Sequence, residues 1–350
     1  MQRLEDHRYT AEMRLALVTL ALVGIAAALP NEVDPDLRAV MTRHLHFTTT
    51  ELSDLQKGKV VKHSIDSGSP GEVAVTGAVL IHASKQVFLD RVRDITQFKR
   101  GPDVLEIGKF SDPPVLQDLA PLTIDRDDFD VRACRVRDCG IRLPAESIRR
   151  FQQDVPLSAP DAQGRAAALF KELIFEHVLA YERGETQGQM LQYDDGDRPI
   201  RPSEEFDGVL RDTPALDAIE PGLADHLRHY AASPLPNAED FLYWSKERFG
   251  IAPFITVTHV TIRCPSKQTC VTATRDVYSS RYIDASLAIA IATDAEAAGD
   301  AFYLIYTNRS RANALKGGLA ALRRALAGRR ARGSLEEMLK SIKNRLEGER

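Results

Sequence analysis

The residues best suited to do chemistry follow one another in the sequence YSSRYIDAS, which begins at Tyr278. Alternate residues of a β-strand share a face, so Tyr278, Tyr282 and Asp284 are predicted to line one surface. A desolvated carboxyl can be tuned towards neutral pH, so Asp284 with either tyrosine could act as an acid–base pair. Asp284 could instead pair with Arg281 or Arg309 and orient a ligand headgroup. The alternative interpretation is an ordinary strand with a structural ion pair.

Other chemical signatures in the chain are weak. His44 and His46 form an H-x-H pair and His226 and His229 an H-x-x-H pair, whereas a zinc site needs at least one further ligand. The acidic stretch Asp194–Asp197 lacks the order of a calcium-binding loop, so it is predicted to be a turn. The chain contains no G-x-S-x-G nucleophile elbow, P-loop or dinucleotide-binding motif. The sequence therefore predicts no metal and no cofactor, and it favours a binding protein over an enzyme.

Four cysteines occur as two closely spaced pairs, Cys134 with Cys139 and Cys264 with Cys270. Three pairings are formally possible, and the local one is favoured because each pair flanks an apparent turn. Zinc is the alternative, but neither spacing is typical of a zinc knuckle. We therefore expect two local disulfides, which would brace turns without creating the fold.

The N-terminal segment contains the apolar run LALVTLALVGIAAA, from Leu15 to Ala28. It is shorter than the roughly 20 apolar residues of a membrane span. Its small-residue end is typical of a signal peptide cut after Ala28, and a start at Met13 would give the cleaner pattern. The alternative is a buried or anchoring helix. Together with the cysteines, this run predicts export to the periplasm or the medium.

The charge of the chain is distributed unevenly. The 350 residues are 43% apolar and 27% charged, as in ordinary globular proteins, with a formal net charge of −4. From Thr307 onwards, however, the twelve Lys and Arg residues outnumber the four Glu residues. The densest part, Arg323–Arg332, could meet an anionic membrane surface or an acidic partner, or it could be the solvated face of a helix. Nucleic acid is not expected as a partner, since interleaved aromatic residues are lacking.

Hydrophobic periodicity predicts an α+β fold in which these residues are carried by strands and by a C-terminal helix. Strands are predicted at residues 58–65, 72–83, 103–110, 129–137, 254–264, 270–280, 282–293 and 301–307. A short helix begins after Ser84, and a mainly helical block spans about 144–249. From Arg311 onwards the spacing becomes helical, and we expect the apolar stripe of this helix to cover the small side chains of one strand. That stripe consists of Leu315, Leu319, Leu322 and Leu326.

In this order the elements resemble the START-like or SRPBCC superfamily, whose helix-grip fold wraps a curved antiparallel sheet around a long C-terminal helix. Gly77–Phe110, GAVLIHASKQVFLDRVRDITQFKRGPDVLEIGKF, looks like its first strand, following helix and second strand. Residues 275–284 and 302–309 look like its later strands, and 311–346 like its grip helix. The likeness is architectural and covers about half of the chain. The inserted helical block and a predicted helix break at Gly333 depart from it.

The resemblance implies a domain from residue 58 to 350, preceded by a signal peptide (1–28) and a lead-in segment (29–57). Members of this superfamily commonly bind lipids, sterols or polyketides, and some are enzymes. The chain is therefore expected to hold an apolar or amphiphilic small molecule in a cavity between its sheet and its C-terminal helix. The residues expected to bind it are Tyr278, Tyr282, Asp284, Arg309, Leu315, Leu319 and Leu322.

Overall fold

The structure is a computed structural model that describes residues 35–184, 192–194, 198–249, 252–295, 300–317 and 320–348. The expected signal peptide and Leu319 lie outside these ranges. Of the acidic stretch 194–197, only Asp194 is described. In this part of the chain, no helix is both long enough and apolar enough to span a membrane.

The described residues form an antiparallel sheet of eight strands, in the order β1-β2-β8-β7-β6-β5-β4-β3. The strands are β1 (Val61–Ile65), β2 (Glu72–Ile81), β3 (Val104–Lys109), β4 (Glu239–Phe249), β5 (Ala252–Arg263), β6 (Thr269–Ser279), β7 (Ala285–Asp294) and β8 (Phe302–Arg311). The helices are α1 (Pro35–Arg43), α2 (Thr49–Gln56), α3 (Lys85–Arg93), α4 (Ile95–Phe98), α5 (Ala145–Asp154), α6 (Ala162–Glu182), α7 (Pro202–Arg211), α8 (Ala215–Ile219), α9 (Leu223–Arg228) and α10 (Ala320–Gly348). The predicted α+β class, with a curved sheet and a long C-terminal helix, is confirmed.

Helices contact both faces of the sheet. One face, here called the α10 face, packs against α3, α4 and α10 through Val79, Phe88, Phe302 and Leu339 among others. The opposite face, here called the α6 face, packs against α5–α9 together with α1 and α2. Strand β7 shows why: Leu287, Ile289 and Ile291 point to the α6 face, and the alternating small alanines point to the α10 face.

Two of the predicted elements are wrong, and a third begins later than expected. Residues 129–137 form turns rather than a strand, closed by the Cys134–Cys139 disulfide and by a backbone bridge between Arg135 and Asp138. The block 144–249 is not helical to its end, because its last part is β4. This strand is covered on both faces, so its sequence FLYWSKERF lacks the clear apolar–polar alternation of a half-buried strand. The strand expected at 282 begins only at Ala285.

The C-terminal helix differs from its prediction in where it begins and in having no break at Gly333. Arg311 still belongs to β8, and α10 begins at Ala320 after a 3₁₀ turn at Asn313–Leu315. The helix also continues through Gly333 without a break. One glycine costs a helix only about 1 kcal/mol relative to alanine, and the buried Leu335 and Leu339 that follow it stabilise the helical path.

The helix α10 packs chiefly on β1 and β2, at one side of the sheet. Gly77 of β2 makes this approach possible, because a Cβ there would lie 2.8 Å from the Val61 carbonyl oxygen and 3.0 Å from a Leu339 methyl carbon. The residues that pack are Leu335, Leu339 and Leu346 in the second half of the helix. The prediction that the apolar stripe covers the sheet is therefore wrong, because Leu322 and Leu326 are 57% and 55% exposed. Leu315 is half-buried in the 3₁₀ turn.

Both local disulfides expected from the cysteine spacing are present. Cys134 is bonded to Cys139 within the turns that precede α5, and Cys264 is bonded to Cys270 across the β5–β6 turn. All four cysteines of the sequence are thus accounted for. Paired cysteines are typical of oxidising compartments, so the disulfides are compatible with export.

Candidate functional site

Tyr278 lies on the α6 face, away from α10. Its ring packs against Phe170 of α6 and Tyr193, at centroid distances of 6.2 and 5.8 Å. Its hydroxyl donates a hydrogen bond of 3.0 Å to the Arg142 carbonyl oxygen, and its side chain is fully buried. Burial raises the pKa of this phenol well above its usual value. The residue is therefore part of the core beneath α6.

Tyr282 and Asp284 lie in the turn between β6 and β7 instead of on a strand. Tyr282 has a positive φ of 59°, and its hydroxyl donates to the Ala252 carbonyl oxygen. The Asp284 carboxylate is buried, and Arg142 Nη2 lies 3.1 Å from its Oδ1. Burial raises the pKa of Asp284 to about 6, although the Arg142 guanidinium opposes this shift. The structure thus gives Asp284 the geometry of a structural ion pair.

Arg309 lies on the α6 face of β8 and pairs with a buried carboxylate. Its Nη1 is 2.7 Å from Glu72 Oε1, and Arg311 Nε is 3.0 Å from the other oxygen of Glu72. Burial raises the pKa of Glu72, while the two guanidinium groups lower it in part. The residues singled out from the sequence are therefore not brought together into one site beneath α10.

A different set of residues lines an open part of the α10 face, which we call the central groove. Its lining residues are Thr274, Asp276, Ser286, Ala290, Tyr306, Asn308 and Ser310. All seven are only half-buried, although they belong to the central strands β6, β7 and β8. Side chains of central strands are normally fully covered, whereas the described residues leave this part of the sheet only partly covered. The groove has the small side chains of Ala288 and Ala290 in its wall, as the alternation in β7 predicts.

A charged cluster lies at the groove, next to the end of α4. Lys99 Nζ is 2.6 Å from Glu247 Oε1 and donates to the Tyr243 hydroxyl at 3.2 Å and to Ser245 Oγ at 3.4 Å. The Lys99 side chain keeps 29% of its surface exposed. Burial disfavours its charged form, but the Tyr243 oxygen and the Glu247 carboxylate outweigh this and raise its pKa. Lys99 is thus held as a cation inside the groove.

Asp276 is the titratable acid of this cluster. Its Oδ1 accepts a hydrogen bond of 2.9 Å from Thr258 Oγ1. Burial raises the pKa of Asp276 to about 6, with Lys99 opposing the shift and Glu247 adding to it. Burial likewise raises the pKa of Tyr306 to about 12. Both side chains are deep enough for burial to dominate their pKa values, yet both retain exposed surface, as expected for the lining of a recess.

Sequence reasoning missed this cluster because β4 had been assigned to the helical block. The signal was present, since Tyr243, Ser245 and Glu247 alternate with the apolar Leu242 and Trp244. Trp244 is fully buried, and its Nε1 donates to the Asp118 carbonyl oxygen at 2.9 Å, so it anchors the core. The position of Lys99 relative to β4 could not be read from local sequence.

A second recess, a cleft of about 500 Å³, lies between the β1–β2 turn and the first half of α10. Its polar lining includes Ser67 and Ser69 from the turn and Arg324 and Arg332 from the helix. Glu72 also borders it. The cleft therefore presents two cations and several hydroxyl groups, rather than the apolar walls expected beneath this helix.

One group of side chains on the α6 face, His226, Asp240 and His259, has the composition of a metal site. It lies on the opposite side of the sheet from the central groove, because Asp240 and the groove residue Tyr243 point to opposite faces of β4.

Comparisons of this chain with protein-family models, with curated proteins and with solved structures found no match. Any assignment of function therefore depends on the geometry of the chain itself.

Proposed function

We propose that this chain is an exported protein that binds an amphiphilic small molecule in the central groove. The observation that carries the proposal is the open surface on the central strands, where a polar cluster adjoins small apolar side chains. Ligand sites in proteins usually combine an apolar concave surface with a few convergent polar groups. The START-like resemblance noted in the sequence points to the same class of ligand.

The chemistry of the groove favours a ligand with an uncharged, hydrogen-bonding head. The donors of Lys99 already meet Glu247, Tyr243 and Ser245, so the cation is largely compensated. Asp276, with its pKa of about 6, can donate or accept a hydrogen bond near neutral pH. The apolar part of the ligand would lie against Ala290 and the ring of Tyr306. A hydroxyl- or carbonyl-bearing lipid fits these features.

The experiment is direct identification of what the protein carries. Native mass spectrometry of the purified chain, followed by solvent extraction and lipidomics, is expected to show a bound apolar molecule. In parallel, binding of methyl cis-parinarate, the uncharged methyl ester of a fluorescent fatty acid, is measured on the delipidated protein. Ala290→Trp fills the groove and should abolish probe binding, whereas Ala168→Trp, on the exposed side of α6 at the opposite face of the sheet, should leave it unchanged. Equal binding by both variants would refute the groove as the site.

A second candidate function, docking on an anionic membrane, is favoured by one specific observation. Leu322 and Leu326 are more than half exposed, on the same side of α10 as the exposed Arg329 and Arg330. Apolar and basic side chains on one helix face suit an anionic bilayer surface. The cleft beneath this part of the helix, with Arg324 and Arg332, suits a lipid phosphate.

Liposome flotation separates this candidate from a carrier that does not touch membranes. The wild-type chain should float with phosphatidylserine vesicles at low salt and should dissociate at high salt. A Leu322→Ser and Leu326→Ser double variant should lose flotation and still bind methyl cis-parinarate. Equal flotation with purely phosphatidylcholine vesicles would exclude the electrostatic mechanism.

A further inference from the structure

Two histidines and an aspartate from three different elements converge in the core of the α6 face. His226 comes from α9, Asp240 from the start of β4, and His259 from β5. Asp240 Oδ1 lies 3.0 Å from His226 Nε2 and 2.9 Å from His259 Nε2. One ligand atom from each residue falls within 4.8 Å of the others. Two imidazole nitrogens and a carboxylate oxygen thus point to one place.

The far nitrogen of each imidazole has its own partner, which fixes the orientation of the ring. His226 Nδ1 is 2.9 Å from the Ser233 carbonyl oxygen and 3.2 Å from the Leu235 backbone nitrogen, and His259 Nδ1 is 2.8 Å from the Tyr181 hydroxyl oxygen. The Tyr230 ring packs against His259 at a centroid distance of 4.3 Å. Metal-ligating histidines almost always carry such an outer contact on the second nitrogen. Both Nε2 atoms are thereby held towards Asp240.

Three hydrogen-bond partners compete for one oxygen atom of Asp240. The single atom Oδ1 lies within hydrogen-bond distance of His226, His259 and also Thr261 Oγ1, at 2.7 Å. The two imidazoles are 2% and 0% exposed, whereas the Asp240 side chain keeps 15% of its surface exposed. That exposure provides a route from solvent to the three donor atoms. A cation between them would replace competing hydrogen bonds by coordination bonds.

We propose that His226 Nε2, the Asp240 carboxylate and His259 Nε2 bind one divalent transition-metal ion, with zinc as the best fit. Imidazole nitrogens suit zinc, copper, iron and nickel, and zinc accepts a mixed nitrogen and oxygen set. On binding, each imidazole carries its proton on Nδ1 and donates it to the Ser233 carbonyl or the Tyr181 hydroxyl oxygen. Any Nε2 proton is released to solvent, so binding weakens at low pH. Three protein ligands leave one position for water, the pattern of catalytic zinc sites.

The surrounding charges do not prevent binding. Arg275 is close enough to influence His259 and opposes a cation there. Glu182 and Asp112 act in the opposite sense, because both exert a negative electrostatic influence on Tyr230 beside the site. With the carboxylate of Asp240 itself, negative groups outnumber the one guanidinium.

The test uses the full-length chain without a histidine tag, stripped with a chelator and titrated with ZnCl2 by calorimetry. One zinc per chain is expected to bind, and CoCl2 should give the visible absorption bands of a tetrahedral or five-coordinate Co²⁺ site. His226→Gln, His259→Gln and Asp240→Asn should each weaken binding by about 10–100-fold or more. His229→Gln is the matched control, because His229 is exposed three residues from His226 and should not affect binding.

The proposal would be overturned if the three residues formed only a hydrogen-bonded ion pair and bound no metal. In that case the wild-type chain would bind zinc no more tightly than the Asp240→Asn variant, and its cobalt spectrum would remain that of the hexa-aqua ion. The cobalt spectrum needs no variant, so it decides the question even if a substitution prevents folding. Binding of methyl cis-parinarate to the metal-free protein tests the groove separately, since the two proposed sites lie on opposite faces of the sheet.

Discussion

Asp276 is the residue whose protonation state most directly sets the character of the central groove. It lies beside the Lys99 cation and accepts a hydrogen bond from Thr258, yet burial keeps its pKa at about 6. In the unfolded chain an aspartate titrates at about 4. The folded protein therefore holds this proton more tightly than the unfolded chain does. Its ionisation accordingly opposes folding.

Replacing Asp276 by Asn should make this effect measurable. Because the folded state binds the proton more tightly, the contribution of Asp276 to the free energy of unfolding falls as pH rises from about 4 to about 6. Asp276→Asn should therefore be more stable than wild type at pH about 8 and gain little at pH about 4. Urea denaturation at both values is the measurement. If the variant gained more free energy of unfolding at the lower pH, the assigned shift would be contradicted. Asp284 also has a pKa of about 6, but it is present in both proteins, so its contribution cancels in the difference.

The histidines also differ at the residue scale, although they share one carboxylate. Burial is the largest influence on His259 and lowers its pKa. For His226, burial is outweighed by the hydrogen bonds to Asp240 and the Ser233 carbonyl oxygen, so its pKa is raised. In the metal-free protein His226 is thus the imidazole that takes up a proton more readily, because its pKa is raised while that of His259 is lowered.

Among the elements, α10 is the one whose packing on the sheet depends on a close approach at a single residue, Gly77. The helix sits over Gly77, where no side chain separates β2 from Leu335 and Leu339. Its first half extends beyond this contact and leaves Leu322 and Leu326 exposed. One helix therefore serves two purposes: its second half closes the core, and its first half presents a basic and apolar surface.

Two glycine substitutions should separate packing from helix propensity in this element. Gly77→Ala places a Cβ 2.8 Å from the Val61 carbonyl oxygen, so it should destabilise the protein by about 1–3 kcal/mol. Gly333→Ala lies in α10 with open space around its Cβ, so it should stabilise by about 0.5–1 kcal/mol. Urea denaturation of both variants is the measurement. The packing of α10 on Gly77 would be disproved if Gly77→Ala were neutral or stabilising.

At the scale of the whole molecule, the sheet separates the two proposed sites, which differ in chemistry. The central groove opens on the α10 face, and the His226–Asp240–His259 group is enclosed on the α6 face. Strand β4 contributes to both, because Tyr243, Ser245 and Glu247 point one way and Asp240 points the other. The two proposals can thus be tested with separate probes.

Location and redox state are properties of the whole chain, and intact mass tests both. The proposal of export predicts that the chain isolated from the periplasm or medium begins near Leu29. With both disulfides formed, an alkylating reagent should add nothing before reduction and four groups after it. A full-length mass would argue against cleavage, and alkylation without reduction would argue against the disulfides.

The sequence by itself determined those features that depend on local pattern. The spacing of Cys264 and Cys270 across a short turn was enough to predict their bond, and period-two alternation in β7 was enough to place its alanines on one face. Four consecutive C-terminal strands and a long final helix were predictable for the same reason, because backbone geometry repeats at two and 3.6 residues.

The tertiary structure decided everything that depends on which surfaces meet. A helix with several apolar stripes does not reveal which of them packs, and only the contact at Gly77 selected Leu335 and Leu339 over Leu322. Strand β4 was harder to recognise because both of its faces are covered, which limits the polar–apolar alternation to a short stretch around Trp244. Lys99 meets Glu247, and His226 meets His259, only because the ends of α4 and α9 pack against the folded sheet. Such convergence is a property of the folded sheet and has no signature in local sequence.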